Sequence, residues 1–300
     1  MIPWLKIAWS AAKSWYADNV FKHSASVSFY TLFSLAPVLV IALAVAALFL
    51  GKEAAAEQLQ AQVTALVGPA SGEMIKSAIE ASSTRKESKV ATAIGIGLLV
   101  FGATTVFAQL QESMNQIWDV RSKPRKHGWV VLLVHRLLSF AMVLTIGFLL
   151  LVSLVLTTAI TRALGYFGGV LASPALMQAA DLSVGLLVIT ILFALLFKVL
   201  PDVELRWRDV WPSAALTAVL FTGGRYLIAF YLSHSTVASV YGAAGSLVAL
   251  LIWIYYSCAI LFYGVEFTRA FRHAHKLKVI PRENAVVVRE ELVEPRKAVR

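Results

Sequence analysis

Two ionisable residues stand in or beside stretches that otherwise have the composition of membrane helices. Arg225 lies between Trp211 and Leu232, and Asp181 immediately precedes the run Leu182–Leu200. A charged side chain in hydrocarbon costs several kcal/mol unless it is paired or hydrated, so such residues rank first among functional candidates. Counted inward from Lys198 and Trp211 along neighbouring helices, the two fall within roughly 4 Å of the same depth at about 1.5 Å per residue. Three arrangements are open: a structural ion pair, an arginine that snorkels outward, or an arginine that meets an anionic ligand in a hydrated cavity. Gly223 and Gly224, directly before Arg225, remove bulk where something approaches the backbone, which favours the ligand.

Hydroxyl and amide groups form a second set. Ser24, Ser28 and Thr31 lie near one stripe of a helix, followed by Ser34 and the kink-forming Pro37. Such a stripe can be a polar translocation wall, or its hydroxyls can bond their own helix carbonyls and neighbouring helices. Gln109, Gln111, Glu112, Asn115 and Trp118 make a polar helix end suited to the membrane interface. Enzymatic signatures are missing from the sequence. No glycine-rich phosphate loop ending in Gly-Lys-Ser/Thr occurs, so direct ATP hydrolysis is not expected. The six histidines are scattered among loops and span ends, and His273 and His275 fall on different helix faces. They offer no ligand set at one-turn spacing, and no Gly-x-Ser-x-Gly turn is present. No catalytic residue, metal or cofactor is expected.

The elements that must position these residues follow from composition. Of 300 residues, 59% are hydrophobic and only 15% charged, and mean hydropathy is +0.73; a globular chain is roughly 45–50% apolar and about 25% charged. The net charge of +10 fits an anionic membrane surface or nucleic acid, and the hydrophobic share decides for the membrane. Cys258, the single cysteine, has no disulfide partner and sits in an apolar run. A bilayer core of about 30 Å needs roughly 20 apolar residues in helix. Six segments qualify: 24–50, 91–111, 137–161, 182–200, 211–232 and 242–267. The fold class is therefore all-α and polytopic. Residues 163–180, with Gly-Tyr-Phe-Gly-Gly and Ser-Pro, read as a surface segment.

Basic residues set the orientation. Lys6, Lys13 and Lys22, the cluster from Arg121 to Arg136, the group Lys198, Arg206 and Arg208, and the tail from Arg269 fall on one side. Lys52, Lys76, Arg85, Lys86, Lys89 and Arg162 fall on the other. Both termini are thus expected in the cytoplasm, and no cleavable leader is expected, because the first apolar run is long and late. Residues 1–23 read as an amphipathic helix at the interface, or as an ordinary helix packed on the base of the bundle, residues 24–270 as the transmembrane domain, and 52–89 as a helical periplasmic insert. Residues 271–300 read as a mobile basic tail resting on anionic lipid.

Several motifs coincide with a known pattern. His23-Ser-Ala-Ser-Val-Ser-Phe-Tyr-Thr-Leu-Phe-Ser34-Leu-Ala-Pro37, Asn115-Gln-Ile-Trp118, Leu200-Pro201-Asp202 before Trp207-Arg208, and Tyr241-Gly242-Ala-Ala-Gly245-Ser246-Leu running to Gly264-Val265-Glu266 resemble the YihY/BrkB family of bacterial inner-membrane proteins. The resemblance covers about Trp4 to Ala270, and Val265 stands where the family often has alanine. It implies an envelope protein of the inner membrane, with lipid or lipopolysaccharide handling among the proposed roles. It puts Asn115, Tyr241, Gly242, Gly245 and Glu266 beside Ser28, Ser34, Pro37, Asp181 and Arg225 as pathway candidates. The ribonuclease label some members carry finds no metal site or acid–base pair here. Two functions are carried forward: translocation of a lipid or other amphiphilic or anionic substrate without an ATPase of its own, and a non-transporting scaffold for envelope assembly. Expected partners are membrane lipids, such a substrate, and an envelope protein or a second copy of the chain, but not nucleic acid.

Overall fold

A computed structural model describes residues 4–51, 53, 54, 57, 102, 105–123, 174–234 and 245–288. The third expected span, most of the second, most of the insert 52–89, and Tyr241 and Gly242 lie outside the described residues. Within them the chain forms α1 (Trp4–Ala17), α2 (Val20–Leu50), α3 (105–117), β1 (Val120–Ser122), α4 (Pro174–Val199), α5 (Trp207–His234), α6 (Gly245–Ala274) and β2 (Ala285–Val287).

Local chemistry places the breaks. Asn19, at φ 53°, turns α1 into α2, and Asp119, at φ 52°, ends α3; the short polar side chains of Asn and Asp tolerate this left-handed conformation. Pro174 opens α4, where a missing backbone N–H costs nothing, and Leu200-Pro201 closes it. Pro212, in the second turn of α5, forgoes one backbone hydrogen bond, and Asp209 in the first turn suits the positive end of the helix dipole.

α6 is the hub, packed against α5, α2 and α1, while α4 packs against α5. The core runs from Leu110, Met114 and Ile117 of α3 through Phe193 and Phe197 of α4 to Ile254 and Phe262 of α6. Two glycines set helix spacing. A Cβ on Gly264 would come within 2.1 Å of Thr217 Oγ1 and 2.5 Å of the Phe197 ring, and one on Gly224 within 2.4 Å of the Tyr256 ring. Gly224 therefore admits a side chain of α6, which corrects the expectation that it leaves room for a ligand; Gly223 has nothing within 4 Å. Phe29, Phe33, Leu182, Leu187, Leu227 and Phe230 point outward, as an apolar solvent requires. Leu182–Val199 and Leu247–Ala274, with mean hydropathies of 2.6 and 2.0, are long and apolar enough to cross a bilayer.

Packing places the two flanking segments. Ile7 and Ala11 are buried with Phe267, and Trp4 stacks on Phe267 and Phe271 at 6.3 and 5.7 Å, so α1 packs on the C-terminal half of α6 while Leu5 and Trp9 stay exposed. The segment expected to be a mobile tail is folded through residue 288. Ala285–Val287 pairs antiparallel with Val120–Ser122, Val203 bridges Pro281, and Val288 N–H donates to the Asp119 carbonyl at 2.8 Å. The tail lacks apolar periodicity because it is held by backbone hydrogen bonds, which leave no such period, and the otherwise helical fold thereby acquires a small ribbon. The α1–α2 turn, the α3–β1 turn, the α4–α5 loop and this ribbon meet at one end of the bundle, called the base below.

Candidate functional site

Polar side chains converge at the base. Asp202, buried in the α4–α5 loop, accepts hydrogen bonds from Asn115 Nδ2 at 2.8 Å, Ser122 Oγ at 2.8 Å and Gln111 Nε2 at 3.3 Å. Its own N–H donates to Asn115 Oδ1 at 2.8 Å, so Asn115 and Asp202 clasp each other reciprocally. Gln111 and Asn115 can both reach it because residues four apart share a helix face. Three donors spread the carboxylate charge, and hydrogen bonds to an ionised acceptor are roughly twice as strong as neutral ones. The clasp fastens α3 to the loop between α4 and α5.

Glu266 on α6 is fully buried, and its carboxyl faces the Asp18 carboxyl within hydrogen-bonding reach but no donor among the described residues. Its charged neighbours are Asp18, Arg269 and Asp119. Arg269, one turn on, donates from Nη1 to Asp18 at 2.7 Å and from Nη2 to Asp119. One guanidinium thus ties the α1–α2 turn and the α3–β1 turn to α6, with Glu266 enclosed behind it.

A third group lies around Arg272, which is 5% exposed. Its guanidinium pairs with Asp209 and donates to the Lys278 carbonyl, while buried Nε has no partner among the described residues. Asp209 also accepts from the Arg206 N–H at 3.3 Å, linking the start of α5 to the end of α6. Beside this pair opens a cleft of about 660 Å³ between the α4–α5 loop and the chain that leads to β2.

The candidates inside the spans behave differently. Ser28 is buried, but its hydroxyl returns to the Ser24 carbonyl at 2.6 Å, and Thr31 does the same with Val27 at 2.7 Å, which is the backbone-satisfying arrangement. Ser24 is also buried, and its hydroxyl has no partner among the described residues; Ser34 is buried on the same helix. Pro37 lies within α2 and Gly245 begins α6. Arg225 donates from Nη2 to the Tyr226 hydroxyl at 3.2 Å and sits 5.1 Å from that ring. It does not line the cleft, and the side chain of Asp181 lies outside the described residues. The structure therefore brings Asn115 and Glu266 to the base and leaves Ser28, Ser34 and Arg225 away from it. Asp18, Asp202, Asp209, Arg269 and Arg272 are the residues that sequence reasoning did not single out. For Asp202 a signal existed, since it stands with Asn115 in the quoted motifs.

Residues 11–286 match the family model described as virulence factor BrkB. Similar curated proteins are named UPF0761 membrane protein. One from Alcanivorax borkumensis is 27% identical over 90% of this chain and 61% of its own length, and one from Pseudomonas aeruginosa is 26% identical over 84% and 59%. Another, from Tolumonas auensis, is 31% identical over 61% of this chain and 58% of its own length. The chain thus spans about 60% of the length of the relatives it matches. No solved structure matches.

Proposed function

Because the chain belongs to the virulence factor BrkB family and is a membrane protein, we propose that it moves a lipid or another amphiphilic anion through the inner membrane without hydrolysing ATP itself. Glu266 carries this reading. A carboxyl enclosed at the base end of a span-length helix, facing another carboxyl and no donor among the described residues, is costly, and buried acids in membrane helices mark substrate and ion pathways. There it can take up and release a proton or small cation as the substrate passes, with the Asp18–Arg269–Asp119 bridge opening and closing the base.

The test is lipid equilibration in proteoliposomes, read by quenching of a headgroup-labelled phosphatidylglycerol. The protein is expected to accelerate equilibration over protein-free vesicles. Glu266→Gln, close in shape and unable to ionise, is expected to slow it by at least about tenfold, about 1.4 kcal/mol of barrier, while the thermal midpoint holds. Vesicles that equilibrate no faster with the protein than without it would overturn the reading. The scaffold alternative is favoured by Arg225, whose guanidinium engages the phenol of its sequence neighbour. A scaffold would leave equilibration unchanged and would retain envelope function in Glu266→Gln cells. We propose no catalytic role for any residue, so RNA incubated with the purified protein is expected to stay intact.

A further inference from the structure

The cleft at the base has no part in the transport reading, and its chemistry is unlike that of the spans. Lys198, Arg206, Arg272, Lys278 and Arg282 bring five cationic side chains to it. Glu204, Asp209 and Glu283 bring three acids, of which Asp209 is committed to Arg272. Lys198 and Arg282 each spend a donor on the chain, the ammonium on the Leu205 carbonyl and Arg282 Nη2 on the Lys198 carbonyl at 3.0 Å. An ammonium has three N–H donors and a guanidinium five, so both keep donors for a ligand. The buried Nε of Arg272 is a fixed N–H with no acceptor among the described residues. Leaving a charged donor unsatisfied is expensive enough that nearly every such group in a folded protein finds a partner. A surplus of cations with spare donors in one recess calls for an oxyanion, and the buried Arg272 guanidinium adds its charge from behind the wall. At about 660 Å³ the space is of ligand size and exceeds what a chloride needs.

We propose that this cleft is a binding site for a phosphoryl group, with Arg206, Lys278 and Arg282 as its donors and Arg272 as the buried charge behind them. Arginine suits this task because its planar fork matches phosphate oxygens. The phosphoryl group can belong to a soluble phosphate or to the headgroup of an anionic phospholipid. The site stands whether or not the protein transports anything.

The experiment is thermal unfolding of the full chain, first in neutral detergent, titrated with inorganic phosphate against chloride at equal ionic strength. The second arm compares nanodiscs of phosphatidylcholine with nanodiscs that also contain phosphatidylglycerol. Arg272 supports the fold through Asp209, so the variant is Arg206→Ala/Lys278→Ala, whose side chains lie at the exposed rim. A saturable rise in midpoint with phosphate but not chloride, weakened at least about tenfold in the double variant, is expected for a soluble ligand. Stabilisation by phosphatidylglycerol that is lost in the double variant, with no phosphate effect in those discs, is expected for a headgroup. The proposal is overturned if neither phosphate nor phosphatidylglycerol stabilises the protein, or if either does so equally in the double variant.

Discussion

Asp202 shows what a single residue at the base is worth. Its carboxylate collects Asn115, Ser122 and Gln111, so removing it strands three polar groups at once. Asp202→Ala is expected to destabilise the protein by roughly 3 kcal/mol, since a hydrogen bond to a charged group contributes about 1.5–3 kcal/mol and the stranded donors add their desolvation. Asn115→Ala removes one of the same bonds and also the acceptor of the Asp202 N–H, and the double variant is expected to cost less than the sum, because residues in one network do not add. Thermal unfolding of the three variants in detergent checks this; additive losses would mean that the clasp is not a unit. Neither residue's role follows from its type. Asn115 at a polar helix end and Asp202 after Leu-Pro stand 87 positions apart, and nothing in a single sequence says that they meet.

At the scale of elements, the existence of long apolar helices was legible from composition, but not the faces they bury: Ile7 and Ala11 of α1 turn inward, and Phe29 and Phe33 of α2 turn outward. Contacts between helices were not legible. Gly223 and Gly224 are adjacent and identical, yet only Gly224 faces another helix closely, and Gly264 holds the tightest approach of all. Gly264→Ala must push aside the Thr217 hydroxyl and the Phe197 ring. It is expected to lower stability by about 1–3 kcal/mol, as overpacking does. Gly223→Ala meets nothing within 4 Å and is expected to be neutral or to stabilise by up to about 1 kcal/mol, the difference in helix propensity. Equal midpoints for the two variants would contradict the packing described here.

For the whole molecule, the basic-residue pattern and the folded base lead to linked expectations. Labelling of single cysteines in whole cells is expected to mark position 71 from the periplasm only and position 123 from the cytoplasm only; the reverse would invert the topology. Lys123 N–H donates to the Asn284 carbonyl at 2.7 Å and Lys123 Nζ to the Glu283 carbonyl at 3.0 Å, so the ribbon belongs to the same side as that label. Truncation after Val288 is expected to leave the thermal midpoint near that of the full chain. Truncation after Leu277 removes β2 and the Val203–Pro281 bridge and is expected to lower it by several degrees, and equal midpoints would show that the ribbon contributes nothing.

The sequence by itself determined that this is a membrane protein of a recognisable family, that long helices run near 24–50, 182–200, 211–232 and 242–267, and that its ionisable residues are few. These properties depend on composition and period, which are local and survive without knowledge of neighbours. Tertiary structure alone decided that Ser28 satisfies its own helix while Glu266 faces the carboxyl of Asp18, that Gly224 seats Tyr256, and that the tail returns to clasp β1. Each of these depends on which distant residue arrives at a given place. A carboxylate or guanidinium has the same intrinsic chemistry wherever it stands, and only the donors and acceptors brought to it determine whether it fastens the fold or waits for a ligand.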